Sequence, residues 1–154
     1  MTFQHAMLFA VDQDGGFGLR GGLPWPRQPD DMRFFKMMTL GNTVCAGTNT
    51  FKTLPPLPDR RVIQITRNPQ LPHQYTIDEV FEAAHIGKVF WIGGAEVLRA
   101  VAKRPEIECA FINIIGGSFE ADVKLDIQEL LRGGNWTLHN QTERENITFT
   151  EWKR

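Results

Sequence analysis

The chain has 154 residues, the length of one domain with a full hydrophobic core. Its 17 basic and 18 acidic residues give a net charge of -1 and no basic run or stripe, which argues against nucleic acid as a partner. No stretch approaches the roughly eighteen apolar residues of a membrane span, and the opening MTFQHAMLFAVDQDG lacks a signal-peptide pattern. A cytoplasmic protein with no membrane partner is therefore expected. Cys45 and Cys109 lie in apolar strand-like runs without a His or Cys at metal-ligand spacing, so buried free thiols and no metal site are expected.

Residues 3–11 are mostly apolar and end at polar Asp12, Gln13 and Asp14, a pattern that predicts a strand buried on both faces. In the DGGFGLRGG that follows, Gly16-Phe17-Gly18-Leu19-Arg20-Gly21 has the spacing of a dinucleotide fingerprint. That fingerprint requires a helix opening within it, and here Pro24 and Pro26 postpone the helix. A mobile glycine-rich loop with the length of a functional lid is expected instead.

The stretch LPWPRQPDDMRFF then carries Pro29 at a helix start, with Gln28, Asp30 and Asp31 at the positive end of the helix dipole. A helix over about residues 29–40 places Asp31 on a face with Phe34 and Phe35, and Asp30 beside Arg33 and Phe34. Asp31 is therefore the carboxylate expected to be buried, with its pKa raised by desolvation. Read from this stretch alone, both aspartates could equally cap the helix or offset its dipole.

Residues 42–47 predict a second strand, after which Gly47-Thr48-Asn49-Thr50 opens a short helix through Leu54. Its amides and hydroxyls form either an anion site or simple caps. After the rigid LPPLPD turn, RVIQIT is a strand that leaves Thr66 and Arg67 at its C-terminal end, the edge where open α/β sheets bind ligands. Residues 70–76 are polar, 77–84 helical, and KVFWI is a short apolar strand. Gly93-Gly94 and the helix AEVLRAVAK follow, and the double glycine suits either close approach of a ligand or a tight turn. Strands are expected over 107–115, 136–141 and 147–152, the last two as a hairpin around TEREN. Alternating strands and helices followed by strands alone predict an α/β fold with helices on both faces.

The order and spacing of AVDQDGGFGLRGGLPW, PDDMRFFKMMTLG, TVCAGTNTF, LPDRRVIQITRN, VFWIGGAEVL and FTEWKR resemble dihydrofolate reductase along nearly the whole chain. The resemblance implies a single domain over residues 1–154 with a mostly parallel eight-stranded mixed sheet, four main helices and an antiparallel C-terminal edge. It implies NADPH as hydride donor, 7,8-dihydrofolate as substrate and a monomeric state. Asp31 matches the family's active-site carboxylate, which holds the pterin ring and promotes protonation of N5; residues 15–23 match the lid, with Leu23 and Trp25 beside the reacting groups.

Met32, Phe35, Leu54 and Leu57 match the apolar substrate walls, Arg60 the arginine that grips the α-carboxylate, and Leu8 and Ile92 the backbone carbonyls at the pterin. On the cofactor side, Gly47, Thr48, Asn49 and Thr50 fall at one diphosphate turn and Gly93, Gly94, Ala95 and Glu96 at the other. Thr66 and Arg67 fall near the adenosine ribose and its phosphate. The resemblance also assigns cofactor contacts to Met7, Phe17, Leu23, Ile92, Val97 and Leu98. Three departures stand out: Thr48 where the family has a basic residue, Ile112 aligned with a threonine that supports the carboxylate, and Leu98 where an aromatic ring is common. A reductase of a related pyrimidine substrate, as in riboflavin synthesis, and a non-catalytic pterin- or nucleotide-binding module are the alternatives.

Overall fold

The computed structural model describes residues 3–154, so Met1 and Thr2 of the expected domain lie outside the described residues. In chain order the elements are β1 (His5–Asp12), β2 (Gly16–Gly18), α1 (Pro29–Thr39), β3 (Thr43–Gly47), α2 (Thr48–Thr53), β4 (Arg61–Ile65), β5 (Gln74–Tyr75), α3 (Ile77–Glu82), β6 (Val89–Gly93), α4 (Ala95–Val101), β7 (Ile107–Ile115), β8 (Val123–Lys124), α5 (Ile127–Leu131), β9 (Thr137–Arg144) and β10 (Ile147–Lys153). Eight strands form one sheet in the order β5-β4-β3-β6-β1-β7-β10-β9. Pairing is parallel from β5 to β7, and β10 adds antiparallel to β7 and to β9. This is the predicted mixed sheet with an antiparallel C-terminal edge.

Strand alternation builds two core layers. Met7, Phe9 and Val11 of β1, with Ile112 of β7, face a cluster that includes Val80 of α3 and Ala95, Leu98 and Val101 of α4. The opposite parity, Ala6 and Leu8 of β1 with Phe111 of β7, meets Phe34, Phe35 and Met38 of α1. Helices thus cover both faces. Cys45 and Cys109 are buried and unbridged.

Several elements depart from expectation. The loop after β1 contains β2, which pairs with β8, and the bridge Leu19↔Gly22 closes its tip. It is further fixed by the Asp122 and Leu125 amides donating to the Gly18 and Gly15 carbonyls, so the segment is a tied flap rather than a free loop. Strands β5 and β8 and helix α5 are too short to carry a hydrophobic period. Strand β9 extends through Arg144, which shrinks the expected TEREN loop to a tight turn at Glu145 and Asn146.

Candidate active site

In the parallel part of the sheet the C-terminal ends of β1, β3, β4 and β6 lie along one edge. Strand β1 pairs with β6 only as far as Met7↔Trp91 but stays paired with β7 out to Asp12↔Ile115. Beyond Met7 and Trp91 the two strands part, leaving Leu8 and Ile92 on facing edges. Leu8, Phe35 and Ile92 belong to one apolar cluster, so the expected substrate-side residues from β1, α1 and β6 meet there. Met32 lies on the exposed side of α1, while Leu54, Leu57 and Arg60 are half-buried in the segment between α2 and β4.

Asp31 is half-buried on α1, and its Oδ1 accepts a hydrogen bond of 2.9 Å from Asn113 Nδ2 on β7. Burial pushes its carboxyl above the usual carboxylate range, and the Asn113 N–H draws it partly back. Asp30 faces elsewhere, in ion pairs with Arg33 and, at 3.9 Å, with Arg144. Its role is ion pairing in the first turn rather than capping, because the cap residue is Gln28 and makes no side-chain cap bond.

The alignment that set Ile112 at the position of the supporting threonine, and so left the carboxylate without a side-chain partner, is corrected. Ile112 is 0% exposed and packs in the core on the other face of the sheet, while the next residue, Asn113, points to α1. A strand reverses its side chains at every residue, so a one-place shift in alignment exchanges core for site. Asn113 was legible as a polar residue inside the apolar run IECAFINII, at the same parity as Phe111.

Arg60 is braced by Nε to the Pro58 carbonyl at 3.0 Å and by Nη1 to Thr39 Oγ1 at 3.3 Å. Among the described residues no carboxylate pairs with it, which leaves its charge for a ligand. Trp25 is buried against Ala10, Ile115, Ile147 and Phe149, and its Nε1 has no hydrogen-bond partner among the described residues. Leu23, at 62% exposed, is on the outer surface of the flap.

The expected cofactor residues divide. Phe17, Gly47, Thr50, Gly93, Gly94 and Val97 come together: a Cβ on Gly47 would lie 3.0 Å from Val97 Cγ2, and one on Gly93 3.3 Å from Phe17 Cζ and 3.5 Å from Thr50 Oγ1. Gly93 has φ +149°, and its peptide bond to Gly94 is cis. Helices α2 and α4 start at Gly47 and Gly94 without side-chain caps, whereas α3 and α5 are capped by Thr76 with Glu79 and by Asp126. The helix starts at the cleft therefore keep their backbone donors free of side-chain acceptors.

Asn49 and Glu96 are exposed, Ala95 is buried, and Thr66 and Arg67 follow β4 at the same edge with Arg67 exposed. The Thr48 hydroxyl donates to the Ile65 carbonyl and accepts from Gln64, so it braces α2 on β4. Met7 and Leu98 are each 0% exposed, with their side chains in the core. The missing aromatic ring at Leu98 is accordingly a feature of core packing.

Asp12 also escaped the sequence patterns. It is buried at the end of β1 and accepts from the amides of Asp14, Gly16 and Phe119, tying the flap to the segment after β7. Burial would raise its pKa, but these backbone N–H bonds more than offset that and hold it below the usual range. Its signal was a carboxylate closing an apolar strand just before two glycines.

Fold and cleft together define an α/β protein with a split sheet, a buried acid on one side of the split and two glycine-capped helix starts on the other. The family model for dihydrofolate reductase matches residues 5–154, and the chain belongs to that family. It is 31% identical over 144 residues to dihydrofolate reductase type 8 of Escherichia coli, covering 83% of each chain. It is 32% identical over 145 residues to the bifunctional dihydrofolate reductase-thymidylate synthase of Zea mays, covering 77% of this chain and 27% of that relative's length. The dihydrofolate reductase from Enterococcus faecalis, solved with NADP(H) and RAB-propyl, superimposes with a TM-score of 0.85 at 25% identity, covering 100% of this chain and 99% of the other.

Proposed function

We propose that the chain reduces 7,8-dihydrofolate to 5,6,7,8-tetrahydrofolate with NADPH, acting as a cytoplasmic monomer. The observation that carries this reading is the half-buried Asp31 carboxyl, held by Asn113 at the split between β1 and β6. Free thiols at Cys45 and Cys109 suit a reducing compartment.

The residues present fit NADPH. Close contacts at Gly47 and Gly93 leave no room for a Cβ, and the uncapped starts of α2 and α4 present backbone donors of the kind a diphosphate takes. Gly47, Asn49, Thr50, Gly93, Gly94, Ala95 and Glu96 would hold the diphosphate, the Thr48 amide would join them, and Thr66 and Arg67 would take the adenosine end. When bound, the cofactor supplies a hydride.

Asp31 accepts the N–H groups of the pterin's amino-pyrimidine edge through the carboxylate oxygen that Asn113 leaves free. A carboxyl group whose pKa is raised by burial holds a proton closer to neutral pH, which favours delivery toward N5. Leu8, Phe35 and Ile92 pack on the ring, Met32, Leu54 and Leu57 wall the benzoyl portion, and Arg60 pairs with the α-carboxylate as a planar two-pronged donor. The flap over residues 15–23, with Leu23 at its end and Trp25 behind it, excludes bulk water from the acid.

A steady-state assay tests the reading: loss of NADPH absorbance is expected only with dihydrofolate present, and Asp31→Asn is expected to lower kcat/KM at neutral pH by about a hundredfold or more. Cofactor oxidation independent of dihydrofolate, or full activity in Asp31→Asn, would overturn it. NADH in a parallel assay measures how far Arg67 alone selects the 2′-phosphate.

A further inference from the structure

A chain of side-chain hydrogen bonds leads from the start of α2 to the segment that carries Arg67. Resting on the reading above that Thr66 and Arg67 take the adenosine end of the cofactor, we infer that Gln64 and Gln74 are positioning residues for Arg67. By holding its segment in place before a ligand arrives, they set the preference for a 2′-phosphorylated dinucleotide.

Gln64 and Gln74 are neighbours in the parallel register of β4 and β5. Gln74 Oε1 accepts from the backbone amides of Gln70 at 2.8 Å and Leu71 at 3.0 Å, which turns its Nε2 toward Gln64 Oε1 at 3.3 Å. Gln64 Nε2 in turn donates to Thr48 Oγ1 at 3.1 Å, and the Thr48 hydroxyl donates to the Ile65 carbonyl at 3.3 Å. Backbone amides at one end and a backbone carbonyl at the other therefore fix the sense of both carboxamides. Gln64 is 8% exposed with both amide atoms engaged, so the middle of the chain is shielded from competing water.

The outer links close around Arg67. Gln70 Nε2 donates to Asn68 Oδ1, and the Asn68 amide donates to Thr66 Oγ1, so the residues on either side of Arg67 are joined to each other and, through Gln70, to Gln74. Phe51 of α2 bridges to the same segment a second time by stacking on His73, with ring centroids 5.3 Å apart and 15° between the planes. Arg67 itself is exposed, and among the described residues no carboxylate pairs with it. An arginine on an unanchored loop spends part of its binding energy on ordering that loop, whereas one on a held segment does not. Thr48, Gln64 and Gln74 are uncharged, so what they contribute is placement rather than attraction.

The test compares binding of adenosine 2′,5′-bisphosphate and adenosine 5′-monophosphate by calorimetry in the wild type, Gln74→Met, Gln64→Met and Arg67→Gln, alongside amide hydrogen exchange of the ligand-free proteins. The wild type is expected to bind the bisphosphate more tightly, and Arg67→Gln to lose most of that preference. Each glutamine variant is expected to lower the ratio of bisphosphate to monophosphate affinity about tenfold with the monophosphate affinity unchanged. Exchange at the Gln70 and Leu71 amides is expected to quicken about tenfold in Gln64→Met, although Gln64 bonds to neither amide. The ratio of kcat/KM for NADPH over NADH should fall by the same factor as the affinity ratio.

An unchanged ratio in Gln74→Met, an equal loss of affinity for both ligands, or unaltered exchange in Gln64→Met overturns the inference, as does a wild type without preference for the bisphosphate. Gln74 is half-buried on the edge strand, so Gln74→Met decides the matter even where Gln64→Met does not fold. Binding and exchange are read without dihydrofolate, so absence of turnover in the wild type would refute the reductase reading while leaving this result intact.

Discussion

The Asp31 carboxyl group is costly to ionise where it stands, half-buried on the helix face it shares by spacing with Phe34 and Phe35. Its folded pKa is raised, so the stability it contributes is full below its unfolded pKa and is lost as pH rises through the folded value. Asp31→Asn removes that loss and is expected to raise Tm at pH 7 while abolishing turnover; thermal melts at pH 4 and pH 7 should show the gain only at the higher pH. On the proposed function, the acid is kept for its chemistry at the expense of stability. At Arg60, bracing by Thr39 and Pro58 fixes a fork whose outer edge is free. Arg60→Lys keeps the charge and loses the fork, and KM for dihydrofolate is expected to rise about tenfold with kcat little changed.

At the scale of the element, α2 and α4 are short and start at glycines, so their starts depend on close packing rather than side-chain caps. Gly47→Ala puts a methyl group 3.0 Å from Val97 and is expected to raise KM for NADPH about tenfold or more. Helix α3 offers the contrast. Its capping box holds Thr76 and Glu79 together, and Thr76→Ala is expected to cost about 1 kcal/mol in urea unfolding. The flap is an element of a third kind, tied through Arg20 N–H to Asp122, through the Gly18 carbonyl to the Asp122 amide, and through Asp12. The ties to Asp122 and, across Asp12, to the Phe119 amide join residues distant in the chain. Sequence spacing therefore showed the flap's length and glycine content but not its attachment to β8.

Across the whole molecule, the proposed ligand contacts collect at the C-terminal edge of the sheet, and a different titratable cluster lies at the other end. His5 is buried against the stacked rings of Phe81 and Trp91, accepts a 3.1 Å hydrogen bond from Trp91 Nε1 at Nδ1, and faces His85. Burial first, and then His85, lowers its pKa to about 4, with Glu106 opposing. A histidine kept neutral by the fold gives its full contribution above its unfolded pKa near 6.5 and loses it as pH falls toward 4. Unfolding free energy is expected to drop on the order of 2 kcal/mol over that interval, and His5→Gln to flatten the drop; urea melts from pH 7 to pH 4 check both.

The sequence by itself determined the sheet's class, the main strands, the start of α1 and the preference for Asp31 over Asp30. Each is written in short-range terms: an apolar run, a proline at a first turn, helical spacing to two phenylalanines. It also placed Gly47 and Gly93 between strand and helix. Only the tertiary structure decided that Asn113 rather than Ile112 meets the carboxylate, that Leu98 and Met7 belong to the core, and that Asp12 ties the flap. Those outcomes depend on which face of β1, β7 and α4 is turned inward and on contacts between residues far apart in the chain. A strand's pattern leaves that parity open until its neighbours have packed.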